Sequence, residues 1–302
     1  MTLQQLKYVV TVAEKNSINE AAKSLFISQP SLSNALKDLE KELGITIFKR
    51  TNKGVAITSS GEEFLGYARQ LVEQCRLVES KYLGEEPYKK KFSVTTQHYS
   101  FAVDAFATLV KKYGMDEYAF SIKETKTYEI IEDVKNLKSE IGILYMNSFN
   151  ETVIKKIIRE SNLEYRELFT VTPHILCSVN HPLAKKKMVK MAMLQEYPYL
   201  CFEQGDYNSF HFSEEIVSTY EQKRSIRISD RATLFELLRS IQGFTICTGM
   251  TIDQVTGSGL VTVPFESSEE VKIVMLQHQN MIMSPLAKEF TEELLKFKND
   301  FV

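Results

Sequence analysis

Between Ser28 and Lys41 the sequence interleaves two sets of residues. Leu32, Leu36, Leu39 and Leu43 recur three and four apart, the period of one helix face. The outward face then carries Ser28, Gln29, Ser31, Ser33 and Asn34, with Lys37 and Lys41 farther along. Slim donors and acceptors at the N-terminal end of a helix suit a major groove, where they reach base edges while the dipole attracts phosphate. A helix built only for solvation more often pairs Glu with Lys four residues on. Two β-prone runs follow, around a turn carrying Lys49, Arg50 and Lys53, a basic hairpin suited to lie along a sugar-phosphate backbone.

A second group of residues suits small-molecule binding. Four corners follow β-prone runs: Thr95-Thr96-Gln97-His98-Tyr99-Ser100, Thr125-Lys126-Thr127-Tyr128, Ser229-Asp230-Arg231 and Thr248-Gly249-Met250. In open α/β sheets, ligands sit where strands end and helix amides begin. Any one threonine there is equally an N-cap; convergence of the four corners in one cleft is what makes a site. The expected effector residues are Thr95, Thr96, Gln97, His98, Thr125, Thr127, Tyr128, Arg231 and Thr248, joined by Cys201 near its own strand end. The ligand these hydroxyls suggest is a small amino-acid-related anion.

Other chemistries lack their residues. Neither G-x-S-x-G nor G-x-x-x-x-G-K occurs, and Thr256-Gly257-Ser258-Gly259 reads as a turn. The four cysteines are scattered and the five histidines lack metal-ligand spacing, so neither catalytic residues, nor a metal, nor a cofactor is expected. Cys177, Cys201 and Cys247 fall in one lobe, leaving a thiol-based redox sensor as the alternative. Charges interrupt residues 1–25 and no 18 apolar residues run together, so the expectation is a cytoplasmic protein that does not enter membranes.

The elements that must position these groups are legible in outline. Leu3, Leu6, Val9, Val10 and Ala13 mark a first helix. Ser17-Ile18-Asn19-Glu20 reads as a capping box opening a short second helix on Ala21, Ala22 and Leu25. Ser28 caps the third, Pro30 is tolerated in its first turn, and Gly44 ends it. Two helices across a tight turn form a helix-turn-helix, and the hairpin behind it is a wing. Ser59-Ser60-Gly61-Glu62 reads as a second capping box, followed by a seam of Phe64, Ala68, Leu71, Cys75, Val78 and Tyr82. A heptad seam between domains pairs with a second copy unless it packs on its own head.

Residues 1–82 resemble the N-terminal domain of LysR-type transcriptional regulators. The matching stretches are Leu6–Ala13, A-A-K-S-L-F-I-S-Q-P-S-L-S from Ala21, D-L-E-K-E-L-G from Asp38, I-F-K-R from Ile47 and I-T-S-S-G from Ile57. The family commonly has a basic residue where this chain has Asn34, which implies a different base preference there. The resemblance implies a regulator of promoter DNA that binds a small-molecule effector, acts as a dimer or dimer of dimers through the helix after the wing, and works with RNA polymerase. His181-Pro182-Leu183-Ala184 matches a recurrent family tetrapeptide, and His98-Tyr99 with Asp230–Leu234 is similar to regulators of sulfur amino-acid supply.

The fold class this implies is α/β: an N-terminal winged helix-turn-helix, a long linker helix and a two-lobed effector domain like the periplasmic binding proteins. The expected divisions are 1–58 for the DNA-binding head, 59–83 for the linker and dimerisation helix, 84–91 for a hinge and 92–302 for the effector domain. Within the last, lobe I takes 92–165 and 271–302, and lobe II takes 166–270. Charge agrees with this division. Of 302 residues, 43% are hydrophobic and 25% charged, with a net charge of −2. Residues 1–58 carry eight basic against five acidic side chains, +3, which leaves −5 for the rest.

Overall fold

The structure, a computed structural model, describes residues 1–51, 54–83, 89–114, 117–205, 209–216, 222–249 and 259–298. The chain divides into two compact units, residues 1–91 and 92–302, with 117–119 and 136–138 grouping with the first.

In the first unit, α1 (Leu3–Lys15) opens on a capping box that Thr2 and Gln5 complete. α2 (Ile18–Ser24) is capped by Ser17, but only half of its expected box forms. Ser17 accepts from the Glu20 amide, while the Glu20 carboxylate turns to Lys23 at 2.8 Å. α3 (Gln29–Leu43) has Ser28 as N-cap, and Gly44 ends it in the left-handed conformation at φ 70°. The small side chains of Ala21 and Ala22 let α2 pack closely, and Val9, Val12, Leu32, Leu39 and Ile47 are fully buried between the helices. Each contributes roughly 1.5–3 kcal/mol by burial.

The wing is an antiparallel pair, β1 (Phe48–Thr51) and β2 (Gly54–Ile57). Gly54 sits at φ 127°, and a Cβ there would lie 2.3 Å from the Asn16 carbonyl oxygen, which also accepts from the Val55 amide at 3.1 Å. Only glycine lets the wing lie this close to the end of α1.

α4 (Ser59–Leu83) is capped by Thr58 rather than Ser59, because the Gly61 amide donates to Thr58 Oγ1 at 2.9 Å. Its apolar seam divides. Leu65, Ala68 and Val72 are buried in the head core with Phe64 against them, whereas Leu71 and Val78 are 48% and 58% exposed. Tyr82 is also exposed and Cys75 half-buried. Residues 84–88 of the expected hinge lie outside the described residues.

The second unit holds two five-stranded sheets. The first contains β3 (Lys90–Thr96), β4 (Tyr118–Glu124), β5 (Ile141–Met146), β6 (Leu163–Val171) and β12 (Val271–His278), in the order β4-β3-β5-β12-β6. β3 and β5 are parallel, while β12 runs antiparallel to both neighbours. α5 (Ser100–Tyr113) and α10 (Pro285–Lys296) share one apolar core, and α6 (Thr127–Lys135) and α7 (Glu151–Glu160) share another. Lying between the two, β5 is buried along its whole length.

The second sheet contains β7 (His174–Ser178), β8 (Tyr199–Phe202), β9 (Ser225–Ile228), β10 (Phe244–Cys247) and β11 (Leu260–Pro264), ordered β11-β7-β10-β8-β9. α8 (Met191–Leu194) and α9 (Arg231–Ser240) complete this lobe. β8 is parallel to β9 and β10, and β7 is antiparallel to both its neighbours. Both sheets are therefore mixed rather than wholly parallel.

Because all of β6 belongs to the first sheet, the chain crosses at residues 172–173 and not at 164–167; 166–171 are lobe I. The return falls between Pro264 and Val271. Leu137, expected on a helix, lies beyond α6 at φ 55°.

Candidate functional site

The polar end of α3 carries an internal hydrogen-bond network. Ser28, Ser31, Asn34 and Lys37 are exposed and Gln29 is half-buried. Ser33 departs from the expected outward face: it is only 8% exposed, and its Oγ accepts from Gln29 Nε2 at 2.6 Å and from an Arg50 guanidinium nitrogen at 3.3 Å. One small hydroxyl thus ties the side chain expected to read a base to the one expected to meet phosphate. Lys49 and Arg50 lie on β1 rather than in the turn, and Lys53 is outside the described residues.

In the effector domain a small cleft, with a cavity volume of about 60 Å³, opens between the lobes. Lobe I contributes His98, Tyr99 and Ser100; lobe II contributes Phe202 from β8, Arg231, Leu234 and Phe235 from α9, and Thr248 after β10. Three expected corners are therefore represented by His98, Arg231 and Thr248. Thr95 and Thr96 do not line the cleft. Both remain inside β3 and are fully buried; Thr95 bonds Ser139, and Thr96 Oγ1 has no hydrogen-bond partner among the described residues.

Gln97 is fully buried and braces its surroundings. Its amide nitrogen donates to Thr127 Oγ1 at 2.6 Å, and its oxygen accepts from the Tyr99 hydroxyl and the Tyr145 amide at 2.6 and 3.0 Å. The Thr125–Tyr128 corner is closed as well. Thr125 bonds Glu129, the Thr127 amide donates to Gln204 Oε1 at 3.1 Å, and Tyr128 packs edge-on against Phe212. Cys201 does not line the cleft; its thiol faces the Ile226 carbonyl. Met250 lies outside the described residues.

Two residues that local patterns do not flag, Glu214 and Glu215, also line the cleft. They belong to a segment that leaves β8 and packs on lobe I, where Phe212 joins the core of α6 and α7. Glu214 Oε2 accepts from the His98 amide at 3.0 Å and lies 2.7 Å from His98 Nδ1. A carboxylate has no donor, so Nδ1 carries the proton. The His98 ring stacks on Phe202, with centroids 3.8 Å apart. Glu215 Oε1 accepts from the Phe202 amide at 2.6 Å. Burial, and next the Glu214 charge, push the Glu215 carboxyl up to about 8.

Arg231 opens α9, where a cation opposes the helix dipole. Glu124 at the end of β4 lies within ion-pair range across the lobes, yet Arg231 Nε and Nη2 have no hydrogen-bond partner among the described residues. Burial lowers the guanidinium to about 10. The thiols move the other way: burial pushes Cys177 up to about 12 and Cys201 and Cys247 up to about 11. Cys247 lines the cleft. Among the described residues no group of three or more His, Cys, Asp or Glu could hold a metal ion, and no helix is long and apolar enough to cross a membrane.

A winged helix-turn-helix followed by two α/β lobes around a cleft defines a class, the ligand-responsive DNA-binding regulators. Residues 3–62 match the bacterial regulatory helix-turn-helix family of LysR type, and residues 100–298 match the LysR substrate binding domain. The chain belongs to the LysR family of DNA-binding transcriptional regulators. It is 26% identical to the transcriptional dual regulator GltC of Bacillus subtilis, over 98% of this chain and 97% of that protein. Its fold is similar to a full-length OxyR of Pseudomonas aeruginosa, solved as a cysteine-to-aspartate variant, with a TM-score of 0.67, 18% identity and 98% of each chain covered. It is similar too to full-length LysG of Corynebacterium glutamicum with bound effector Arg, at a TM-score of 0.66 and 13% identity over 99% of each chain.

Proposed function

We propose that this regulator reads promoter DNA with α3 and senses an amino-acid-related metabolite in the interlobe cleft. Gln29 and Asn34 meet base edges, Ser33 orients Gln29 and Arg50, and Ser28, Ser31, Lys37, Arg50 and Lys53 meet the backbone. The observation that carries the sensing half is the cleft itself, walled by both lobes, with His98 from one and Glu214, Glu215 and Arg231 from the other. A ligand touching both walls favours one lobe arrangement, and only its differential affinity shifts the equilibrium.

The exposed residues of α4, Leu71 and Val78, pair with a second copy, giving a dimer or dimer of dimers. The assembly works in the cytoplasm and acts on transcription by contact with RNA polymerase. Sulfur amino-acid supply is the regulated process that the residues around His98 and Arg231 suggest. The redox alternative needs a thiolate, and burial holds Cys177, Cys201 and Cys247 protonated.

The test is a reporter strain carrying either Thr248→Trp, which fills the cleft, or the three cysteines changed to serine. Loss of response in the tryptophan variant, with the serine variant still responsive, supports metabolite sensing. The reverse pattern overturns it. Operator retardation by each purified variant is read alongside.

A further inference from the structure

The interlobe cleft already holds one bound carboxylate, that of Glu214. Its Oε2 accepts from the His98 amide at 3.0 Å and from His98 Nδ1 at 2.7 Å, and Gln204 Nε2 donates to Oε1 at 3.3 Å. The His98 donors stand directly before α5, at the end of that helix where the dipole favours an anion. The corner after β3 therefore does bind a carboxylate, and the carboxylate is the protein's own. Both partners line the cleft. On the lobe II wall, Arg231 presents Nε and Nη2, buried and with no hydrogen-bond partner among the described residues, although Glu124 lies within ion-pair range. Filling His98 with Glu214 leaves this second set of anion donors unused.

The cavity beside these groups measures about 60 Å³. That is well below the roughly 150 Å³ that accepts a benzene ring. A carboxylate carried on a carbon body needs room that the Glu214 side chain now fills. We propose that Glu214 is an internal stand-in for the effector: the effector carries a carboxylate, displaces Glu214 from His98, and takes further hydrogen bonds from Arg231. A guanidinium suits this role because it matches a carboxylate in two parallel N–H···O bonds.

The exchange balances in charge, since one carboxylate leaves the His98 donors as another arrives, and Nδ1 keeps its proton throughout. It is also coupled to the lobes. Tyr145 and Asn147 of lobe I hold the same segment through the carbonyl oxygens of Glu215 and Ile216. Withdrawal of Glu214 removes the charged part of that contact, so ligand binding and lobe arrangement bias one another. The proposal rests on the cleft being the effector site, and names both the chemistry of the ligand and the residue that competes with it.

Titration calorimetry of the full chain tests this on wild type and Glu214→Ala, with isovalerate and isoamylamine as probes. The two share a carbon skeleton and differ in their charged group. Removing the internal competitor should tighten isovalerate at least about tenfold, with no gain for isoamylamine. Adding Arg231→Gln to Glu214→Ala should cancel most of that gain. Acetate at constant ionic strength should slow hydrogen exchange at the His98 amide in Glu214→Ala, and chloride should not. If the alanine variant does not fold, Glu214→Gln, which keeps the side-chain length and one acceptor, should show a smaller gain in the same direction. No gain for isovalerate in either Glu214 variant, or an equal gain for isoamylamine, overturns the proposal. Thr248→Trp separates the two levels. A gain that persists when Thr248→Trp is added to Glu214→Ala puts the carboxylate outside the cleft and overturns both readings. No gain, with Thr248→Trp still abolishing the reporter response, overturns the stand-in alone.

Discussion

Glu214 of lobe II accepts from both the backbone amide and the ring Nδ1 of His98 in lobe I, at 3.0 and 2.7 Å. With side chains only 7% and 5% exposed, the two form a buried tie across the cleft. Tyr145 and Asn147 reinforce it by donating to the carbonyl oxygens of Glu215 and Ile216. The segment carrying Glu214, Glu215 and Ile216 thus belongs to one lobe by chain order and to the other by contact.

Cutting this tie should loosen the domain. Glu214→Ala leaves the His98 amide and ring without their acceptor, a loss of about 1–3 kcal/mol. Urea unfolding of the full chain should show a lower midpoint, and hydrogen exchange at the His98 amide should accelerate. An unchanged midpoint with unchanged exchange would mean that the contact does not hold the lobes.

Glu215 should set a pH dependence. Its folded pKa, about 8, is raised above the ordinary value of 4.5. Between those values the folded chain holds the proton that the unfolded chain has lost, so stability falls as pH rises through this window and levels above it. Glu215→Gln removes the slope. Relative to wild type it should gain stability from pH 5 to pH 8, on the order of 3 kcal/mol. Parallel unfolding curves across that range would contradict the assignment.

Ser33 should link specificity with affinity. Arg50→Ala should weaken all DNA sequences alike and lower the salt slope by about one. Ser33→Ala releases both Gln29 and Arg50, so it should blur base preference and weaken backbone binding together. Binding isotherms on matched and mismatched duplexes at several salt concentrations separate these effects. A Ser33→Ala protein with wild-type preference and salt slope would show that the network has no part in recognition.

The two faces of α4 should respond differently to substitution. Leu71→Asp with Val78→Asp places like charges on the exposed stripe, and sedimentation should report a smaller species with a folded head. Leu65→Ala, at a fully buried position, should instead cost the head about 2–5 kcal/mol. An unchanged assembly in the double mutant would move the interface to the effector domain.

How much is legible in the sequence follows from the range of each interaction. Ser28, Pro30 and Gly44 act within one turn of α3, so its ends can be read directly. Ser33 defies the helical pattern because it borders the buried stripe: three residues before Leu36 and four after Gln29, it can turn either way, and Arg50 from the wing decides. The seam of α4 keeps its period but not one partner, since the head core takes Phe64 and Ala68 together with their neighbours Leu65 and Val72. Nearness to a strand end makes Thr95 and Thr96 look like cleft residues, yet β3 continues through Thr96 and α5 begins only at Ser100. The first half of β6 is polar and exposed, without the alternation that marks a strand. Glu214 and Glu215 give no local signal, because their partners at His98 and Phe202 lie on other elements.

The most direct measurement is selection of bound duplexes from a randomised pool by the full chain and by Gln29→Ala. Wild type should enrich a motif of two half-sites one helical turn or a multiple apart, about 10–10.5 base pairs per turn. Gln29→Ala should lose preference at one base pair in each half-site, a cost of about 1–3 kcal/mol, and keep it elsewhere. Enrichment of no motif by wild type, or of the same motif at the same strength by the variant, would contradict base reading by α3.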